Sequence, residues 1–243
     1  MSRIRELLKH AIDSARKLRH AEWIPIAVLL VVALAIWAFV ELADEVAEGD
    51  LEKFDRAVLL SLREGNDADN PLGPSWLEEA MRDVTALGSV AVLSGVTVAA
   101  CGFLWLQGKH SAVLYVLVAV VGALVLSSTF KWFYARPRPD LFPHGDKVYT
   151  ASFPSGHSSM SAAVYLTLGA LLARYQEKRK LRVYLVAIAV VLTISVGVSR
   201  VYLSVHWPTD VLAGWTLGAA WALACWVVAY WLERRGMIEQ QAE

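Results

Sequence analysis

Residues 112 to 140 read AVLYVLVAVVGALVLSSTFKWFYARPRPD. The first nineteen, Ala112 to Phe130, carry no charge, and Lys131, Arg136 and Arg138 then follow within eight residues. An uncharged apolar run of this length matches the ~20 residues a helix needs to cross the hydrocarbon of a bilayer. Backbone polar groups find no water there, so a helix is the form such a run takes. The cations that follow it stand where the helix leaves the membrane.

Five further runs have the same character: Trp23 to Val40, Ser89 to Leu106, Ser158 to Ala173, Val183 to Ser199 and Val211 to Leu232. Of the 243 residues, 56% are hydrophobic and 19% charged, with ten tryptophans, more apolar than one soluble core requires. The expected fold is therefore all-α, a six-helix transmembrane bundle in a single domain over 23–232. Residues 1–22 form a basic amphipathic segment before it, and 233–243 a tail after it. The first run follows basic residues as a signal peptide would, but it is long and lacks a small-residue cleavage site, so it reads as a retained anchor. Between the first two spans, Leu51 to Leu62 and Trp76 to Leu87 read as short amphipathic helices at the interface, separated by turn-rich residues. Formal net charge is zero, so nothing points to nucleic acid. Cys101 and Cys225 sit inside apolar runs and read as core side chains.

Lys and Arg are shared unequally between alternate sides of the expected spans: 14 with the two termini, nine on the other. By the positive-inside rule both termini are expected in the cytoplasm of a multi-pass inner (plasma) membrane protein. The segments 41–88, 131–157 and 200–210 then face the periplasm or exterior. Trp23, Trp105, Trp132, Trp207 and Trp231, near span ends, read as an interfacial belt. Gly214 and Gly218 read as close helix packing within the bundle rather than a dimer seam.

Three polar clusters fall on that outer side: Lys131 to Asp140 (KWFYARPRPD), Pro154 to His157 (PSGH) and Ser199 to Asp210 (SRVYLSVHWPTD). Singly, each has a plain structural reading. Lys131 and Arg138 would be snorkelling anchors, His206 an interfacial ring, and Asp210 a favourable charge at a helix N-terminus after Pro208. Taken together they supply what a phosphate needs. Lys131, Arg138 and Arg200 offer charge-assisted hydrogen bonds. The turn Ser155-Gly156 offers backbone N–H groups and the positive end of a helix dipole. His206, with Asp210 four residues on to fix its tautomer, is placed to be a nucleophile, and His157 to be the acid that protonates the leaving oxygen. One ring must be neutral and the other charged, so a bell-shaped pH–rate profile is expected. Arg136 receives no role.

These three motifs, in this order and separated by spans, resemble the signatures of the type 2 phosphatidic acid phosphatase (PAP2) family, lipid phosphate phosphatases that share a helical core with vanadium haloperoxidases. The resemblance covers roughly 85–232 in detail and the N-terminal third only in layout. It implies a metal-independent, cofactor-free phosphatase in which His206 forms a phosphohistidine, Asp210 supports it and His157 is the general acid. Lys131, Arg138, Arg200 and the amides near Ser155 and Gly156 would hold the phosphate. The substrate would be a membrane lipid phosphate or diphosphate: undecaprenyl diphosphate, phosphatidylglycerol phosphate, phosphatidic acid or phosphorylated lipid A. No obligate protein partner is expected. Two rivals come from other classes. A vanadate-dependent haloperoxidase would oxidise halide when given vanadate, and a non-catalytic lipid-phosphate binder would need neither histidine.

Overall fold

The computed structural model describes residues 2–64, 67–141 and 150–235, with side chains from Pro25 onward except at 67–69. Eight helices and one small hairpin follow in order: α1 (Ser2–Glu48), α2 (Glu52–Ser61), β1 (Arg63–Glu64), β2 (Asp67–Pro71), α3 (Ser75–Ala86), α4 (Val90–Leu106), α5 (His110–Tyr134), α6 (Gly156–Arg174), α7 (Arg179–Tyr202) and α8 (Pro208–Arg234). The all-α bundle stands. Helices α1 and α4 to α8 contain the six apolar runs, and α2 and α3 are the two short amphipathic helices.

Helix α6 is the centre. It packs on α5, α7 and α8, while α1 lies on α8 and α4 on α5. Its sequence fits that place: Ser158, Ser159, Ser161, Ala162, Ala163, Gly169 and Ala173 are buried, and small side chains let neighbouring backbones come close. Gly214 and Gly218 of α8 supply the other half of one such contact. A Cβ at Gly214 would stand 2.7 Å from the Ser155 carbonyl oxygen, and one at Gly218 would be 2.8 Å from Ala162 Cβ. The pair serves packing within the bundle.

The same central position refines the count of spans. Pro25–Glu48, α5, α7 and α8 are each long and apolar enough to cross a membrane, and α3 with α4 would make a fifth, broken by a 46° bend. Helix α6 is too polar to pass because its neighbours, not lipid, surround it. Lipid-facing side chains lie on the outer helices, as at Leu30, Leu106 and Val191.

Other expectations change more. The N-terminal segment is not a separate element but the beginning of the 47-residue α1, and the side chains that would settle its amphipathic face lie outside those described. The connection between α2 and α3 contains an antiparallel hairpin in place of a plain turn. Trp105, Trp132 and Trp231 are exposed at helix ends, as an interfacial belt requires. Trp207 is buried at 7% exposure and donates its indole N–H to the Pro137 carbonyl at 3.1 Å, so it belongs to the interior.

Candidate active site

The C-terminal ends of α5 and α7 and the N-terminal ends of α6 and α8 meet at one end of the bundle. Local chemistry builds each end. Helix α5 stops at Ala135, whose left-handed backbone (φ 44°) turns Arg136 and Arg138 back over the helix tops. Ser155 caps α6, its hydroxyl accepting from the Ser158 amide, and its own amide donates to the Asp210 carbonyl at 2.9 Å. Helix α8 starts with Pro208, and Asp210 reaches back to accept from the Trp207 amide at 2.9 Å.

His206, in the short connection between α7 and α8, is 1% exposed. Its Nε2 lies 3.1 Å from Arg138 Nη1. A guanidinium can only donate, so Nε2 is the accepting nitrogen and the proton sits on Nδ1. That nitrogen faces Asp210 Oδ2 at 3.4 Å and Ser152 Oγ at 3.3 Å. The tautomer expected of a nucleophile thus follows from the cation in front of the ring. Burial pushes the His206 pKa down to about 3, with Arg138 and Arg200 acting in the same direction against the nearby Asp210. The ring is neutral at physiological pH.

Asp210 is fully buried, and its carboxylate is saturated. One oxygen takes the Trp207 amide, the Ser152 hydroxyl and the His206 contact; the other accepts from Arg136 Nη1 at 2.7 Å. Ser152 does not stand out in the sequence, since a serine shortly before a PSGH turn carries no periodic or motif signal of its own.

The phosphate-binding candidates converge on the same end of the bundle. Arg138 is held by the carbonyls of Thr150 (2.9 Å) and Val205 (2.7 Å), and Lys131 Nζ donates to the Ala151 carbonyl at 2.6 Å. The Lys131 stem runs beside Gly156, with 3.4 Å between its Cε and the place a Cβ would occupy. Arg200 donates to Thr85 Oγ1 at 3.0 Å. Burial, with the charges of Arg200, Arg138 and Lys131 acting in the same direction, pushes the His157 pKa down to about 3, so its ring too is neutral in the free site, against the charged form expected of the acid. The ring packs under Gly88 at the α3–α4 elbow. A Cβ at Gly88 would come within 3.2 Å of His157 and closer to Val196. Because the Ser155 amide is taken by Asp210, the first-turn amides of Gly156 and His157 are those α6 presents without an intrahelical acceptor. Ser155 contributes as the cap. Among the described residues no group of three or more His, Cys, Asp or Glu side chains stands in metal-ligating proximity.

A buried His206 and a half-buried His157 beside a set of cations, carried on a membrane bundle, are the groups that a site acting on a phosphate would need. The sequence profile of the PAP2 superfamily matches residues 112–234, and the chain belongs to that superfamily; it is a membrane phosphatase, a hydrolase of phosphoric esters. It is 37% identical over 147 residues to phosphatidylglycerophosphatase B of Bacillus subtilis (strain 168), covering 59% of this chain and 70% of that one. An undecaprenyl-diphosphatase of Sulfolobus acidocaldarius is 32% identical over 108 residues, 42% of this chain and 48% of its own. Among solved structures, the transmembrane PAP2-type phosphatidylglycerolphosphate phosphatase of Bacillus subtilis superposes with a TM-score of 0.73 at 26% identity, over 90% of this chain and 98% of that one.

Proposed function

We propose that the protein removes the terminal phosphate of a lipid phosphate or diphosphate through a phosphohistidine on His206, and that phosphatidylglycerol phosphate is the first substrate to test. The observation that carries the mechanism is Arg138 at 3.1 Å from the unprotonated Nε2 of His206. A phosphoryl group drawn to Arg138, Lys131 and Arg200 is brought to the one ring nitrogen that carries a lone pair, which Arg138 releases as it turns to the phosphoryl oxygens.

The reaction then runs in two balanced steps. The Nε2 lone pair forms a bond to phosphorus as the bond from phosphorus to the lipid oxygen breaks, and that oxygen leaves with the proton that His157 takes up once the charge of the bound phosphate offsets Arg200, Arg138 and Lys131. Asp210 accepts a hydrogen bond from Nδ1–H and stabilises the positive charge growing on the ring. Water next attacks phosphorus, gives its proton to the now neutral His157, and displaces Nε2, releasing inorganic phosphate and restoring both rings. The amides of Gly156 and His157, with Ser155 as their cap, support the transferring oxygens.

The substrate class rests on the relatives named above and on a site at the end of membrane helices, where a headgroup would bind while its tails stay in lipid. The chain's similarity to a phosphatidylglycerophosphatase over more of both lengths favours that headgroup over undecaprenyl diphosphate. In the membrane we place residues 23–232 as the catalytic domain with 41–88 and the site on the outer side, and 1–22 and 233–243 in the cytoplasm. The distribution of Lys and Arg supports that orientation.

The test is phosphate release in detergent from phosphatidylglycerol phosphate, undecaprenyl diphosphate, phosphatidic acid and lipid A phosphate, with chelator present and His206→Ala in parallel. Release with loss of about 10⁴-fold or more in the variant, and an acid-labile phosphoenzyme in the wild type, is expected. Turnover that survives in His206→Ala, or that chelator abolishes, would overturn the mechanism. The highest kcat/KM on another lipid of the panel would overturn the substrate order.

A further inference from the structure

One buried cluster beside the site remains unexplained, and its key member comes from outside the three motifs. Asp55 lies on α2, 0% exposed, far before Thr209 and Arg136, the residues it touches. Its Oδ1 accepts from the Thr209 amide at 3.0 Å, and its Oδ2 from Thr209 Oγ1 at 2.6 Å and Arg136 Nη2 at 2.8 Å. Arg136 divides its fork, sending Nη1 to Asp210 Oδ1 at 2.7 Å and to Thr209 Oγ1 at 2.8 Å. A second tie runs from the same segment: Arg63 on β1, also buried, donates to the Tyr202 carbonyl and the Ser204 hydroxyl at the end of α7 and in the connection that carries His206.

We propose that Asp55, acting through Arg136, is a positioning residue for catalysis: it holds the Asp210 carboxylate, and through it the His206 ring, in attacking orientation. This rests on the phosphohistidine reading of the site. Two physical points carry it. First, a fully buried carboxylate is costly unless its hydrogen bonds are met, and Asp55 meets three of them only in this docked arrangement. Its place is therefore specified by the α8 N-terminus rather than by α2 itself, whose other side chains are mostly exposed. Second, Arg136 alone would set a whole positive charge against Asp210. Sharing that guanidinium with Asp55 leaves Asp210 a net negative partner for Nδ1–H, while the planar fork fixes the angle of its carboxylate. Through Asp55 and Arg63, α2 and β1 thus lock onto the nucleophile's loop from outside the helices that bear the motifs.

The proposal is tested with Asp55→Asn in the full-length protein, with Glu52→Gln on the exposed side of α2 as control. Asp55→Asn is expected to lower kcat by about 10- to 100-fold with KM within about twofold, because substrate contacts are untouched. Glu52→Gln should leave both unchanged. Combining Asp55→Asn with Arg136→Gln should cost no more than the worse single change, as residues acting through one contact do not add. A second reading needs no turnover: ¹⁵N-histidine spectra of the detergent-solubilised protein, assigned with His206→Gln, report which ring nitrogen of His206 holds the proton. The Nδ1–H form is expected in the wild type and a mixture of both tautomers in Asp55→Asn. If the wild type hydrolyses none of the lipids, the proposed function fails while the spectra still decide this point. Should Asp55→Asn not fold, Arg136→Lys, which keeps the charge but cannot fork between two carboxylates, carries both measurements. Unchanged kcat with an unchanged His206 spectrum in the folded variant overturns the proposal, as does a rise in KM that accounts for the whole loss.

Discussion

The two ends of α6 face opposite sides of the bundle and differ in kind. At its N-terminal end, buried Ser152, His206, Thr209, Asp210 and Asp55 form one hydrogen-bonded network with Arg136 and Arg138, so that each charge has several partners. At its C-terminal end, Arg174 grips Glu233 of α8 with one bidentate ion pair at the surface, and Lys109 stands over the Tyr175 ring. Between α4 and α6 on that side lies a cavity of about 550 Å³ lined by Phe103, Leu104, Leu168 and Leu172. Both ends are tops of the same helices and both carry cations. Only one has its cations half-buried or buried beside histidine rings and gathered around one of them, and that difference in burial and convergence, not in charge, separates a candidate site from an anchor.

The sharpest way to break this contrast is at Arg138. Arg138→Lys keeps the charge but loses the fork that grips Thr150 and Val205 and faces His206. Steady-state kinetics should show kcat/KM lower by about 100-fold or more, since a preorganised donor to the transferring group is lost. A change of less than about threefold would make Arg138 an anchor like those at the opposite end.

Acid should separate the ends next. His206 is neutral when folded, with its pKa near 3, and takes a proton below about 6.5 when unfolded. The unfolded state therefore binds the extra proton between those values, so the contribution to stability is whole above pH 6.5 and is lost as pH falls toward 3. Thermal midpoints in detergent should fall on acidification from about pH 7 to about pH 5, and His206→Gln should flatten that fall by one proton's worth of slope. Parallel curves for the two proteins would mean the ring is charged when folded.

The smallest effect is expected at the other end. The Arg174 side chain is 43% exposed, and an ion pair of that kind is worth about 0–1 kcal/mol. Arg174→Ala should leave turnover within about twofold and shift the midpoint by no more than a few degrees. A large loss of activity there would mean the two ends are coupled through α6.

Much of this is legible in the order of residues alone. Runs of some twenty apolar residues force helices, and their spacing alternates the intervening polar segments between two sides, so Lys131, Arg138, His157, Arg200, His206 and Asp210 fall together by parity. The step from those residues to a phosphate follows from their chemistry, because donors, a helix N-terminus, a nucleophile and an acid have few common purposes. Packing of Gly214 and Gly218 within the bundle is readable for the same reason, small residues in a span being places where backbones approach.

What the sequence conceals lies where a residue's neighbours are remote and its local pattern ordinary. Asp55 sits on an amphipathic helix among other charges and differs from Glu52 in no sequence property that foretells burial, yet one is buried and the other exposed. Arg136 reads as one more cation beside Arg138 until the turn at Ala135 aims its fork at two carboxylates. Trp207 reads as a membrane-interface ring, and becomes interior because the Pro137 carbonyl meets its N–H. Hydrophobicity and helical period act along the chain and can be read from it. Burial of a charge is decided only when distant segments close over it, because its cost is met by partners that the order of residues does not name.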